Sequence, residues 1–317
     1  MRVGHLAVVV VPLLAAGLPQ VANQYQLYVC NLILVYALVG LGSNVLLGNL
    51  GQLAFASTTF FGLGAYTTGI LMLHLHAPFP LAALTGGLVA AASGVLVSLP
   101  ALRGVRGFYL AIMTLAFGEL MRWAYVHTPS LTQGSTGLAV PLPFLGEYAL
   151  RSDGAKFVLF LGIVSLLVVA TSGLLRSRIG RAFMAIRENE PAAAAMGIPT
   201  ARMIILAFAW SGFVVGIGGA LYACLVRRVS PDAFNLEELM LHFAITVVGG
   251  LGSIAGSLLG AIVLTAMPEL VRDWPGFETI LLAGMMVAVL LVLPRGLVSL
   301  LERPLPFLRQ RFARDRA

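Results

Sequence analysis

The segment GRAFMAIRENEPAAAAMGI, Gly180 to Ile198, places four charged side chains within ten residues, between long apolar runs. By contrast, the stretch from Val3 to Leu102 contains no Asp, Glu, Lys or Arg. Charged residues make up 10% of the 317-residue chain and hydrophobic residues 59%, whereas soluble domains carry roughly 25% charged residues. Many apolar runs reach the roughly 20 residues that a helix needs to cross the hydrocarbon core of a bilayer. The sequence therefore predicts an all-α polytopic membrane protein.

Ten membrane spans are predicted from the apolar runs, at 4–20, 27–47, 51–73, 79–101, 107–126, 155–175, 203–226, 236–249, 253–268 and 277–293. They form a single transmembrane domain over residues 1–317, because no linker separates a second, soluble domain. The first run is preceded by one charged residue, Arg2, and is not followed by an A-x-A-like site. We therefore interpret it as an uncleaved span rather than a secretory signal peptide.

The arginines predict which side of the membrane each loop faces. The segment 176–202, here named the polar loop, and the tail 294–317 are both rich in arginine, and cytoplasmic loops collect Lys and Arg. Both segments and both chain termini are therefore expected in the cytoplasm, and the net charge of +7 follows from this rule without any nucleic-acid partner. An even number of crossings must then separate loop and tail. Arg227 and Arg228, which fall on the outside, are the main exceptions to the rule.

Two similar glycine motifs interrupt apolar stretches. They are LGNLGQ, Leu47 to Gln52, and VGGLGS, Val248 to Ser253. If the second motif divides 236–268 into two crossings, the number of crossings between the polar loop and the tail is even, as required. A re-entrant break at this motif is the alternative. The likeness of the two motifs is consistent with corresponding breaks in an internal repeat. Small residues four apart, such as those at 86, 90 and 94 and at 212, 216 and 220, predict close helix packing.

The sequence offers no catalytic, cofactor-binding or metal residues. The only lysine, Lys156, lies outside any phosphate-binding glycine loop. His74 and His76 are two apart and would point away from each other on a helix, and His242 in an apolar span is interpreted as a hydrogen-bonded packing residue. No Ser-based triad and no facing carboxylate pair is present. We therefore expect a protein that is not an enzyme.

Polar side chains within the apolar runs are candidates for a translocation path. The segment GNLGQLAFASTTFFGLGAYT combines glycines, which permit irregular backbone, with polar groups. A carboxylate inside a span, Glu119, needs a partner or a function, and Arg122 one turn later can pair with it. The candidate path residues are Gln52, Ser57, Thr58, Thr59, Tyr66 and Glu119.

The polar loop is predicted to form two short helices joined by a bend at Asn189–Glu190, because Pro191 suits a first helical turn and Gly197 suits a helix end. Such a unit can insert into a groove of a partner protein. We expect Phe183, Ile186 and Met196 to be the apolar anchors. Arg187 and Glu190 are expected to flank them as charges that orient the partner, and small residues to permit close approach. The functional residues of the loop are then Phe183, Ile186, Arg187, Glu188, Asn189, Glu190, Ala193, Met196 and Gly197.

This loop resembles the coupling loop of ABC-importer permeases, in the version found in the Liv-type, LivM-like permeases of branched-chain amino acid importers. The segments FYLAIMTLAFGE, TQGSTGL, SPDAF, VVGGLGSIAGSLLGA and PRGL are also similar to that family, so the resemblance covers nearly the whole chain. It implies a multi-pass permease of the bacterial inner membrane. Its expected partners are ABC ATP-binding subunits, a second, LivH-like permease and a periplasmic or extracellular solute-binding protein. ATP and Mg would bind in the ATPase, not in this chain.

The resemblance implies import of branched-chain or other hydrophobic amino acids, or of related small solutes. The family commonly has a Ser and a His where this chain has Ala54 and Ser57. If this segment lines the path, amides, urea and aromatic compounds are alternative solutes that the chain could transport. A stand-alone secondary transporter or channel is the alternative function, although the first hundred residues lack the buried ionisable groups that ion-coupled carriers usually need.

Overall fold

The computed structural model describes residues 23–105, 107–145 and 148–270, together with several positions between 283 and 299. The predicted span 4–20 lies outside the described residues, and span 277–293 and the tail 294–317 lie mostly outside them. The long helices are α1 (Gln24–Asn44), α2 (Ser57–His74), α3 (Phe79–Ser98), α4 (Phe108–His127), α6 (Asp153–Arg176), α9 (Thr200–Val226), α10 (Leu236–Gly249) and α11 (Ile254–Leu270). Each corresponds to one of the predicted spans.

Shorter elements connect these helices. A π-helical turn, Val45–Leu50, extends α1, and 3-10 turns lie at Leu99–Arg103, Gly134–Thr136 and Pro231–Phe234. Short helices are α5 (Pro129–Thr132), α7 (Arg178–Glu188) and α8 (Glu190–Ala195). Two antiparallel pairs of two-residue strands complete the described chain, with β1 (Leu138–Ala139) on β4 (Arg228–Val229) and β2 (Phe144–Leu145) on β3 (Tyr148–Ala149).

Helix α9 lies at the centre of the bundle and packs against α1, α2 and α3. Small residues make this packing close. A Cβ added to Gly64 of α2 would lie 2.0 Å from the carbonyl oxygen of Gly216, and one added to Gly212 would lie 2.5 Å from that of Ala90. The backbones therefore touch, which confirms that the small-residue stripes of α3 and α9 mediate helix packing.

Different segments of the chain lie at the two ends of the bundle. One end, here named the loop end, carries the polar loop, the π-turn and the turn Gly250–Ser253, whose residues contact one another. The other end carries the segment 127–154 and the β1–β4 pair. The predicted break at Gly249 to Ser253 is confirmed, because α10 ends at Gly249 and α11 begins at Ile254. Helices α10 and α11 pack against each other.

Four helical stretches in the described part of the chain are long and apolar enough to cross a membrane: Gln24–Leu50, Phe79–Arg103, Asp153–Arg176 and Thr200–Val226. The outward faces of α3 and α6 expose aliphatic side chains, including Leu81, Leu88, Leu96 and Leu166. Such faces suit contact with lipid. The predicted class, an all-α polytopic membrane protein, is confirmed.

Candidate functional site: the polar loop and the glycine motifs

The polar loop forms two helices separated by a bend, as predicted. Ser177 caps α7 by accepting from the Ile179 amide at 3.1 Å, and Asn189 caps α8 by accepting from the Ala192 amide at 3.0 Å. Gly197 adopts a φ of +82°. Its amide and that of Ile198 donate to carbonyls of the last turn of α8 at 3.0 and 3.1 Å. This pattern is a glycine-terminated Schellman motif, so local sequence fixes the shape of the loop.

The inward face of the loop belongs to the core of this chain. Phe183 is 0% exposed and Ile186 and Ala193 are also buried, and α7 contacts α6, α9 and the π-turn. We expected Phe183 and Ile186 to enter a groove of a partner, and Ala193 to allow a partner to approach. Those expectations are wrong, because these side chains are already covered by their own bundle.

The outward face of the loop is formed mainly by the bend, α8 and the residue after it. Glu188, Asn189 and the segment 194–197 are exposed, whereas Glu190 is half-buried. Met196 is 83% exposed. Among the described residues, no atom of a residue beyond the chain neighbours lies within 4 Å of a Cβ built at Gly197. This face is therefore open for contact with another protein.

Arg187 points back toward the bundle. Its guanidinium donates to the carbonyl oxygen of Gly48 in the π-turn. Gly51, with a φ of +76°, lies directly under the Arg187 stem, because a Cβ there would be 2.8 Å from the Arg187 Cγ. A Cβ at Gly252 would be 3.1 Å from an Arg187 guanidinium nitrogen. The expected role of Arg187 as a charge that orients a partner is thus wrong, since its contacts are with both glycine motifs.

The two glycine motifs lie against each other, and Asn44 joins them. Its carboxamide oxygen accepts from the Gly252 amide at 2.7 Å, and its nitrogen donates to the Ser253 carbonyl at 2.8 Å and to the Ser257 hydroxyl at 2.7 Å. We name this assembly of Asn44, Arg187 and the two motifs the junction. Sequence reasoning missed Asn44, although a lone asparagine beside a glycine motif in an apolar span was a usable signal.

The predicted path residues are not gathered in one place. Ser57 lines a narrow cleft near the loop end together with Ser43, Ser211 and apolar side chains that include Leu46 and Leu47. The remaining four α2-region candidates, Gln52, Thr58, Thr59 and Tyr66, are buried and do not line this cleft. Their role in a path stays a prediction.

Glu119 lies on the outward face of α4. Its carboxylate pairs with the Arg122 guanidinium at 3.1 Å, and the two side chains are 52% and 40% exposed. Only Leu110, Ala111, Thr114 and Tyr125 of this helix are buried. The predicted ion pair is therefore confirmed, and it lies on a face that the described part of this chain leaves open.

His242 is a hydrogen-bonded packing residue, as predicted. Its Nε2 lies 3.2 Å from the Glu238 carboxylate, which also accepts from the Tyr36 hydroxyl at 2.8 Å. The imidazole is fully buried and meets the ring of Phe61 edge-on at 5.3 Å between centroids. This cluster fastens α10 to α1 in the half of the bundle away from the polar loop.

Comparisons with known proteins agree with these observations. A family model described as "Branched-chain amino acid transport system / permease component" matches residues 25–293. The chain is 34% identical to the high-affinity branched-chain amino acid transport system permease protein LivM of Escherichia coli, over 93% of this chain and 75% of that protein. It is 26% identical to the permease protein LivH of the same organism, over 83% and 91% respectively.

A further relative belongs to an import system for a different solute. The chain is 27% identical to the autoinducer 2 import system permease protein LsrC of Yersinia pestis, over 80% of this chain and 72% of that protein. No solved structure matches the chain significantly.

Proposed function

Because the chain belongs to the family of branched-chain amino acid transport system permease components, we propose that it is the transmembrane permease subunit of an ATP-driven importer in the bacterial inner membrane. Residues 1–317 form one permease domain with both termini in the cytoplasm. Its partners are two ATP-hydrolysing subunits, a second, LivH-like permease and an external solute-binding protein. ATP and Mg bind in the ATPase, and this chain contributes the path and the docking loop.

The observation that carries this proposal is the outward face of the polar loop. A helix–bend–helix with capped ends leaves Met196 and Gly197 exposed, and Glu188 and Asn189 at the bend are exposed as well. The ATPase binds this face, with Met196 as the apolar anchor that enters its groove. Helices this short are marginal alone, so the buried inward face supplies the stability that presents the outward face.

The second permease covers the outward face of α4. A charged side chain at the bilayer centre costs about 2.5–3.5 kcal/mol on insertion scales, so Glu119 and Arg122 favour a protein or water-lined surface over lipid. The outward faces of α3 and α6 carry exposed aliphatic residues and remain in contact with lipid. The α4 face therefore meets the sister permease and borders the path between the two subunits.

The solute is a branched-chain or related hydrophobic amino acid. The family supports this class. The cleft beside Ser57 has serine hydroxyls and apolar walls, the combination that small-molecule sites typically show. It has room for only about one water molecule, so a solute enters it only after the surrounding helices separate. The polar candidates Gln52, Thr58, Thr59 and Tyr66 come into play when the helices around the cleft separate during transport.

The test uses the complete importer in proteoliposomes. Met196→Glu puts a charge on the proposed docking face, and Leu131→Glu puts the same charge on an exposed leucine near the opposite end of the bundle. Met196→Glu is expected to weaken binding of the ATPase by at least about tenfold, since loss of an anchor residue typically costs about 2 kcal/mol or more and about 1.4 kcal/mol corresponds to a factor of ten. Leu131→Glu should leave that binding unchanged. Equal ATPase binding by both variants would refute the docking site.

A further inference from the structure

We propose, building on the function above, that Arg187 is the positioning residue that transmits movement of the polar loop to both glycine motifs. Asn44 makes the two motifs move as one unit. The junction then connects the docked ATPase to the cleft, and it does so through this chain's own contacts.

Arg187 is suited to this role by its reach across the chain. The guanidinium donates to Gly48, which is 139 positions away, and lies against Gly252 as well. Arg181, six residues earlier on the same helix, differs because it donates to the nearby Arg176 carbonyl, at 3.4 Å. The planar guanidinium is pre-organised for such a hydrogen bond, and the stem rests on Gly51 although the side chain as a whole is exposed. Displacement of α7 therefore displaces the π-turn.

Asn44 prevents the motifs from separating. Its carboxamide bonds to backbone or side-chain atoms of Gly252, Ser253 and Ser257 at 2.7–2.8 Å, all of them buried. A Cβ at Gly48 would lie 2.2 Å from the Gly252 amide nitrogen, so the two backbones are in contact. Force applied to the π-turn therefore reaches the start of α11 without passing through flexible side chains.

The π-turn also borders the cleft, which gives the movement a consequence for solute. Leu46 and Leu47 belong to the turn and line the cleft together with Ser57. Packed interiors transmit displacement rather than absorb it. When α7 moves and shifts the π-turn with it, the width of the cleft therefore changes on the side that faces the polar loop.

The experiment compares two arginine variants in the reconstituted importer. Arg187→Gln removes the contact with Gly48, whereas Arg181→Gln removes the same charge from the same helix without touching the junction. We expect Arg187→Gln to bind the ATPase normally and to lose uptake and solute-stimulated ATP hydrolysis by about tenfold, a typical size for coupling between two sites. Arg181→Gln should keep both within about twofold.

A second variant reaches the same contact from the other side. Gly51→Ala keeps Arg187 but places a methyl group 2.8 Å from its Cγ, so it should reproduce the uncoupling, with thermal unfolding in detergent reporting that the permease is folded. Normal uptake in Arg187→Gln would overturn the inference and leave the docking proposal intact. Loss of ATPase binding in Arg187→Gln would also overturn it, because Arg187 would then belong to the docking face. If Met196→Glu binds the ATPase normally, the docking proposal itself fails.

Discussion

The carboxamide oxygen of Asn44 lies 2.7 Å from the amide nitrogen of Gly252, although 208 positions separate the two residues in the chain. Both groups are buried, and the Asn44 nitrogen completes the pairing by donating to the Ser253 carbonyl. A turn between two apolar helices leaves backbone groups without helical partners. Here one side chain from a different helix satisfies them, which explains how a glycine-rich turn can lie inside the bundle.

Asn44→Ala is expected to destabilise the permease by about 2–4 kcal/mol, because unpaired buried polar groups cost about 1–3 kcal/mol each. Thermal unfolding of the purified permease in detergent measures the effect. Asn49→Ala is the control, since Asn49 is also buried but its side chain makes one hydrogen bond within the described part of the chain, to the Asn44 carbonyl at 3.1 Å. A loss of stability in Asn49→Ala as large as in Asn44→Ala would contradict this account of the junction.

Gly64→Ala is expected to destabilise the bundle by about 1–3 kcal/mol, the usual cost of overpacking, because the new methyl group would lie 2.0 Å from the Gly216 carbonyl. Gly162→Ala is the matched control on α6, where no atom from elsewhere in the described residues lies within 4 Å of a Cβ. It should stabilise its helix by roughly 0.5–1 kcal/mol through helix propensity. Opposite shifts in unfolding temperature are therefore the expected result, and equal shifts would exclude close contact of α2 with α9.

Most helix boundaries could be predicted because they depend on local chemistry. Apolar length sets the spans, and the glycines at 250 and 252 end one helix before the next begins. The bend at Asn189 was likewise predictable, since a cap and a following proline act on their own neighbours. The two-helix reading of 236–268 came from charge parity together with such a glycine motif.

The contacts across the bundle were not predictable in the same way. The spacing of Phe183 and Ile186 identifies an apolar face of α7. Burial of such a face is favourable both against the core of the same chain and against a partner protein, so the sequence does not distinguish the two. The contact between Arg187 and Gly48 depends on how α7 folds against the π-turn, which single-sequence periodicity does not encode. The position of Glu119 on an outward face likewise depends on how α4 packs against the bundle, which the sequence periodicity does not encode.

Glu238→Ala is expected to lower stability by about 1–3 kcal/mol, because the buried Tyr36 hydroxyl and the His242 imidazole both lose their carboxylate partner. Glu237→Ala provides the control from the adjacent, exposed position. Surface substitutions of this kind usually stay within about 0.5 kcal/mol. Thermal unfolding of both variants in detergent makes the comparison, and similar losses in the two would mean that the cluster does not fasten α10 to α1.

A photo-crosslinker at the α4 face is expected to capture the sister permease. Leu120 lies beside Glu119 and is 55% exposed, and Leu166 on the lipid-facing side of α6 is 68% exposed. Each is replaced by cysteine in a variant whose native Cys30 and Cys224 are changed to serine, and a thiol-linked photo-reactive probe is attached in the assembled importer.

Illumination should join the two permeases from position 120 and not from position 166. The reason is electrostatic: the Glu119–Arg122 pair is costly against hydrocarbon but acceptable at a protein or water-lined surface, whereas the aliphatic outer face of α6 loses nothing in lipid. A crosslinked band of the summed size of the two permeases, seen by electrophoresis, is the measurement. A crosslink from position 166 alone would move the sister permease to α6 and leave the charge pair of α4 facing lipid, which would remove the argument that assigns α4 to the path.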